Sequence, residues 1–512
     1  MCSLASPSLT PSTVPTAPKP APIRISCLLN SASERSNLAF LREGTVPTLA
    51  ERKPIYEDLD NLEVELQRVD DDVARLQALR EQIRTQLALS CAMIAPVRRL
   101  PPELLARIVL EHARGFVERE WSLVIATTVA GVSATWRRVA CSAPEFWTHI
   151  SLAPIVAFTY SHLELCLSRS GSSLLHIHGE GATGEALRKQ ITRLLPEAHR
   201  WKTLSLRHGY LFKLSGILAC ALPCLERANL RIPSLLRQYT DPDVKHLALN
   251  FLADAPRLHD LTLWTDEFRE GFVLTLPPSC ALTTLSLKSL ACDLGCVMPL
   301  IQQCSGMLQH LSLHLSPRNR SAFQPDQRIE MPRLISLDTG RDGFELLYYF
   351  RMPRLAEIAM PGSTYALLSM LEFFADGGAF PQTIRKLCLT QFNSKNLCCS
   401  DPEAEQRLLH FLQLLEHLCT FTMDIGRGRL TYPEAFVPIE VVFGKITSEG
   451  LLPSLTEITI RGDMHPGPTF TERVREMMRA RAVQSTIDGR DVAALERVVE
   501  DFGYAFEPEV DG

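Results

Sequence analysis

Ten times between Trp201 and Ile460 the chain repeats one short pattern: an aliphatic or bulky residue, two variable ones, a second aliphatic, one variable, and a third aliphatic. The units are WKTLSL (Trp201 to Leu206), PCLERANL (Pro223 to Leu230), PRLHDLTL (Pro256 to Leu263), LTTLSL (Leu282 to Leu287) and LQHLSL (Leu308 to Leu313). They continue with PRLISLDT (Pro332 to Thr339), PRLAEIAM (Pro353 to Met360), IRKLCL (Ile384 to Leu389), the weaker LEHLCTFTM (Leu415 to Met423) and PSLTEITI (Pro453 to Ile460). The last two aliphatic residues of each unit stand two apart, so they share one face of a strand, and the first closes the turn before it. A strand this short cannot bury that face alone. Neighbours at a period of broadly twenty to forty residues bury it jointly, and this predicts a solenoid with parallel strands on one side.

Helices are expected between the strands: Leu211 to Ala221, Asp243 to Ala253, Leu294 to Gln303, Ala366 to Phe374 and Glu403 to Leu415. The pattern resembles leucine-rich repeats of a degenerate kind, in which the asparagine or cysteine that closes each strand is mostly missing. Ahead of the repeats, a helix over Ile155 to Ser168 and a short strand around Leu174, Leu175 and Ile177 are predicted. His176 and His178 alternate with Ile177 and are expected to face solvent. Behind the repeats, Thr471 to Ala482 and Asp491 to Phe502 read as capping helices, the second with Val492, Leu495, Val499 and Phe502 on one face.

Upstream lies Val97 to Ser151. Pro101 and Pro102 stand where a helix tolerates a missing N–H, Glu103 sits near the positive helix end, and Leu104, Leu105, Ile108 and Val109 recur at helical spacing. A second helix is predicted through Val129, Val132, Trp136 and Val139. The order Leu-Pro-Pro-Glu-Leu-Leu, then Val-x-x-x-Trp-Arg-x-Val-Ala, then Pro-x-Phe-Trp resembles an F-box, most like those of mushroom-forming fungi. It departs at Ser133, where a cysteine is common, and in a longer insert over Arg114 to Trp121. The resemblance implies docking on the Skp adaptor of a Skp–cullin–F-box ubiquitin ligase. The contacts would come from Leu100, Pro101, Leu104, Leu105, Ile108, Val132 and Trp136. A protein substrate would then bind the repeat array, with no single residue standing out as its contact.

Between Ile55 and Leu87, Ile55, Leu59, Leu62, Leu66, Val69, Val73, Leu76, Ile83 and Leu87 follow alternating four- and three-residue steps, broken only at Arg80. This is a heptad seam on a helix from Pro54 to Leu89, about 50 Å long. It either pairs with a second copy or folds back along the chain. Met1 to Ser36, rich in Ser, Thr, Pro and Ala, is expected to be a disordered tail.

The 512 residues are 46% hydrophobic and 22% charged, as for a folded chain. A net charge of −5 with no basic stripe excludes a nucleic-acid binder of the usual electrostatic kind. Fifteen scattered cysteines, no secretory leader pattern and no apolar run long enough for a bilayer point to a cytoplasmic or nuclear protein with free thiols.

Two motifs invite chemistry. Gly179-Glu-Gly181-Ala-Thr-Gly184 follows a strand and opens a helix, the setting of a dinucleotide loop. Glu180 would put a negative charge into the phosphate site, and the next strand ends in Arg207 and His208 where an acidic residue should bind ribose. Cys292 and Cys296, with Cys304, His310 and His314 downstream, are the best zinc candidates. Zinc needs converging pairs, and these residues read better as buried cysteines and strand-flanking histidines. Cys220 and Cys224, and the pair Cys398 and Cys399, lack companion ligands. No catalytic residue, metal or cofactor is assigned.

The expected fold is thus mixed α/β (α+β). A tail covers 1–36, a heptad helix 53–90, a small all-α F-box 97–151, a connecting region 152–200, a leucine-rich-repeat-like solenoid 201–462 and terminal helices 463–512. The expected role is that of a non-enzymatic ligase adaptor. The alternative is a self-associating repeat scaffold that never engages a ligase.

Overall fold

In the computed structural model the described residues are 23–44, 46–113, 128–152, 156–179, 184–206, 218, 220–232, 246–265, 273–289, 292–319, 328–340, 342–390, 402–425, 437–462, 468–487 and 490–502. The expected helix over Leu211 to Ala221 lies almost wholly outside them. The Arg114 to Trp121 insert, Gly181, Arg207, His208, Cys398 and Cys399 are likewise outside. The chain divides into two compact units, residues 1–101 and 102–512.

The first unit is helical. Ile23–Arg35 (α1) and Leu38–Arg42 (α2) precede the 46-residue helix Leu49–Ile94 (α3). The expected tail to residue 36 is therefore helix from Ile23 onward. The physical reason is a partner: α1 packs on α3, and Arg35 donates to both carboxylate oxygens of the buried Asp58, each at 2.9 Å. The long helix also starts before Pro54. Thr48 and Glu51 form a capping box, which satisfies the first amides and carries the proline inside the helix. The seam expected over 55–87 is present on α3, with Leu59, Leu66, Val69, Val73, Leu76, Ile83 and Leu87 between 44% and 63% exposed.

The second unit is built on one 13-stranded parallel sheet whose strands lie in chain order. They are β1 His149–Ser151, β2 Leu175–Gly179, β3 Trp201–Leu206, β4 Arg227–Ile232, β5 Asp260–Thr265, β6 Thr284–Ser289 and β7 His310–His314. Next come β8 Ser336–Asp338, β9 Glu357–Pro361, β10 Lys386–Thr390, β11 Thr420–Ile425, β12 Glu457–Gly462 and β13 Arg497–Phe502. Successive strands pair in register with steps from 21 residues (Ser336 to Glu357) to 40 (Glu457 to Arg497). This is solenoid-like architecture: one strand per repeat, each covered by the next.

All ten sequence units supply a strand of this sheet. One row of buried side chains runs through Leu204, Ala228, Leu261, Leu285, Leu311, Leu337, Ile358, Leu387, Phe421 and Ile458. In six units an aliphatic residue before the strand closes the turn as expected. The amides of Leu225, Leu258, Leu334, Leu355, Leu418 and Leu455 each donate to the carbonyl three residues back, at 3.0–3.3 Å. Beyond each turn a carbonyl on one repeat accepts two amides of the next, as His259 does from Thr283 and Thr284 at 3.0 and 2.9 Å. Helices Leu294–Cys304, Thr364–Ala375 and Pro402–Gln413 fall where the pattern puts them.

Three expectations are corrected. The sheet extends beyond 201–462 at both ends, to β1 within the 97–151 segment and to β13. Residues 491–502 are not a helix: Arg497–Phe502 pairs with β12 across six positions, because Val498 and Val499 complete the open edge of the sheet. The expected helix from Asp243 to Ala253 is, over its described part, a short strand His246–Ala248 and a 3-10 turn Asn250–Leu252. The last repeats are tied together by Arg481, which is fully buried and donates to the carbonyls of Ala493, Leu452, Pro453 and Leu455 at 3.0–3.4 Å.

At Gly343 the chain turns so close to β7 that a Cβ would lie 2.0 Å from the carbonyl oxygen of Leu313. Backbone cannot yield as a side-chain tip can. Gly343→Ala should therefore lower unfolding stability by about 1–3 kcal/mol, measured by urea denaturation; an unchanged midpoint would contradict this packing.

Candidate functional site

Two surfaces stand out. The first belongs to the helices that open the second unit, Pro102–Ala113 (α4) and Ala134–Ser142 (α5), which pack on each other. On α4, Leu105 and Val109 point into the core, at 2% and 5% exposure. Leu104 and Ile108, one position earlier and four apart, share the neighbouring side of the helix and are 50% and 52% exposed. Val132 is 56% exposed in a short turn, Ala130–Val132, that packs on α5. Trp136 is half-buried against the core.

The structure thus sorts the expected contact residues. Leu104, Ile108 and Val132 are open to a partner, whereas Leu105 is core and cannot reach one. Leu100 is half-buried at the end of the 3-10 turn Pro96–Arg99, and Pro101 is exposed; both belong to the first unit. The helix expected through Val129 and Val139 is broken at Ser133. Its backbone is extended there, and its Oγ accepts the Trp136 amide at 3.2 Å, capping α5. Phe146 and Trp147 are buried just before β1, and the Trp147 indole donates to the Ala140 carbonyl at 2.7 Å.

The second surface is the polar face of the sheet. The register sets Arg227, Asp260, Thr284, His310, Ser336, Glu357, Lys386, Thr420, Glu457 and Arg497 side by side in one row. Opposite charges face each other across strands: Lys386 and Glu357 at 2.7 Å, Arg497 and Glu457 at 3.5 Å. In a further row Trp264 lies between Arg231 and Lys288, with the Arg231 guanidinium 5.1 Å from the indole centroid. Trp264 was not among the sequence candidates. Its position after two inward leucines, Leu261 and Leu263, is the signal that places it outward.

On β7 and β8 the Asp338 carboxylate accepts from Ser312 Oγ at 3.0 Å and lies 2.8 Å from His314 Nε2. Burial alone would raise its pKa, but the His314 and Ser312 contacts outweigh it and hold the carboxyl below its ordinary value.

His176 and His178 do not simply face solvent. His178 is buried, and both stack on His149 across β1 and β2, with ring centroids 4.4 and 5.7 Å apart. His176 also meets the Thr203 hydroxyl at 3.0 Å. Burial, together with the two neighbouring rings, pushes the His149 pKa down to about 3.

The zinc candidates separate. Cys292, Cys296 and Cys304 are buried, whereas His310 is exposed and His314 pairs with Asp338. Among the described residues no group of His, Cys, Asp and Glu is arranged to hold a metal ion. Burial raises the Cys292 thiol and pushes Cys304 up to about 12, so both are protonated and poor nucleophiles. Of the glycine motif, Gly179 closes β2 tightly against Leu206, and Gly184 opens the helix Gly184–Leu194. Among the described residues no helix is long and apolar enough to cross a membrane.

No protein-family model matches the chain, and no curated protein matches it. Among solved structures it is similar to the leucine-rich repeat-containing protein LegL7 from Legionella pneumophila. Sequence identity is 14%, over 70% of this chain and 86% of that one, with a TM-score of 0.28. The repeat architecture therefore rests on the strand order and register of this chain itself.

A depressed His149 pKa means that the unfolded chain binds a proton more tightly than the folded one. The stabilisation is full above the ordinary histidine pKa of about 6.5 and is lost as pH falls toward 3. Near pH 5 the loss should be about 1–2 kcal/mol. Melting between about pH 7.5 and pH 5 should fall less in His149→Phe than in the wild type; equal falls would contradict a neutral buried ring.

Proposed function

We propose that the chain is a substrate-recognition adaptor of a Skp–cullin–F-box ubiquitin ligase. The helices around Pro102–Ser142 dock on the Skp adaptor, and the leucine-rich-repeat-like sheet receives a protein substrate. The observation that carries this is the division of α4 into an inward row, Leu105 and Val109, and an outward row, Leu104 and Ile108. Leu104 and Ile108 share one face of α4 at half exposure, and Val132 is a third exposed aliphatic on the turn that packs on α5. Each such side chain contributes about 1.5–3 kcal/mol when fully buried, before the costs of association.

The sequence order supports the same reading, with the Leu-Pro-Pro-Glu-Leu-Leu, Trp-Arg and Pro-x-Phe-Trp elements followed, after a connecting region, by repeats. The protein performs no bond chemistry in this scheme and acts by holding a substrate near the ligase's catalytic partner. On the sheet, the exposed Trp264 between Arg231 and Lys288 has the composition of an interface anchor.

The test is co-purification with the Skp adaptor. Wild type should retain it. Leu104→Asp combined with Ile108→Asp should lose binding by at least about 100-fold while keeping the wild-type melting transition, because both side chains are already half exposed. Folded wild type without adaptor would overturn the ligase reading in favour of a scaffold outside any ligase. A folded double variant with undiminished binding would overturn the assignment of these residues.

A further inference from the structure

The seam of α3 is an exposed apolar feature that the proposed ligase role leaves unused. It runs through Leu59, Leu66, Val69, Val73, Leu76, Ile83 and Leu87, all exposed. On the edge of the first turns α1 already covers part of the helix: Asp58 is buried and Ile55 and Leu62 are half-buried, yet Leu59 and Leu66 beside them stay open. Four- and three-residue spacing over this length, interrupted only at Arg80, is the geometry in which side chains of one helix insert between those of another.

The charges say what the other helix is. From Ile55 to Ala74 the helix carries Glu57, Asp58, Asp60, Glu63, Glu65, Asp70, Asp71 and Asp72 against the single basic residue Arg68. From Arg75 to Ile94 the balance reverses, with Arg75, Arg80 and Arg84 against Glu81. The helix is complementary to itself only when reversed. A parallel pair would set Arg80 against Arg80 of the other copy inside the seam, and Glu65 against Asp70 along its edge.

We infer that α3 is a self-association helix that pairs with the same helix of a second copy of this chain, antiparallel and centred on Asp71. In that register Leu59 meets Ile83, Leu66 meets Leu76 and Val69 meets Val73, each layer occurring twice by symmetry. Arg80 falls at the level of Leu62 and beside Glu63 of the other copy instead of facing itself, and Tyr56 lies along Arg84. Like charges meet only at the centre, where Asp70 and Asp72 each face their own copy. There Arg75 already bridges Asp72 at 2.9 Å and offsets part of the repulsion. The inference does not depend on the ligase reading, since no α4 or α5 residue takes part.

Sedimentation equilibrium of the full chain tests it, combined with mapped disulfide cross-linking. Wild type should have twice the mass of one chain, and Leu66→Asp combined with Leu76→Asp should halve that mass. When chains bearing Leu59→Cys and chains bearing Ile83→Cys are mixed and oxidised, peptide mapping should find residue 59 linked to residue 83. A single-chain mass for wild type would overturn the inference, as would an unchanged mass for the double variant. Predominant links between two copies of residue 59 would overturn the antiparallel arrangement.

Discussion

Nearly every repeat places two apolar side chains on one face of a strand three to six residues long, and that face is dry only when the next strand lies against it. The whole second unit follows from this requirement. Parallel register is enforced because the same inward rows, from Leu204 to Ile458 and from Leu206 to Ile460, must stay continuous through the sheet. The spacing between strands is free to vary, since a longer connection costs little once its ends are fixed. The repeats tolerate steps from 21 to 40 residues for this reason. The end of the array must be closed by something other than another repeat. Here Val498 and Val499 add a last strand, while Arg481 takes up four main-chain carbonyls.

The same inward rows leave the other face of the sheet to polar side chains, with cross-strand ion pairs, a His314–Asp338 contact and a Trp264 flanked by cations. A surface of this composition is suited to recognition. The thiols of Cys292 and Cys304 are buried with raised pKa values. Within residues 102–512 two exposed surfaces therefore differ in chemistry, aliphatic on α4 and polar around Trp264 on the sheet.

Much of this was legible in the sequence, and the exceptions have physical causes. Ten strands were visible because a two-residue period of leucine has one structural meaning inside a repeat. The thirteenth was misread because Val492, Leu495, Val499 and Phe502 happen to fit a helical period, while the competing signal, two adjacent valines beside an open sheet edge, exists only in three dimensions. The start of α3 was legible in Thr48 and Glu51 but was masked by Pro54, a residue usually read as a boundary. The break at Ser133 follows from its hydroxyl, which competes for the Trp136 amide. Helical spacing brought Leu104, Leu105, Ile108 and Trp136 into one candidate set. Which of them face outward depends on where α5 and β1 pack, so Leu105 could not be separated from Leu104 by pattern alone. The histidines on β2 alternate outward as parity requires, yet His149 from a different segment stacks on them.

The proposed docking face is formed by α4 and the turn before α5, ahead of the repeat array. Hydrogen–deuterium exchange of the full chain, alone and with the Skp adaptor, tests this most directly. New protection is expected only in Pro102–Ala113 and Ala130–Ser142, with the strands from Trp201 to Gly462 unchanged. Protection spread along the sheet, or none on α4, would contradict it.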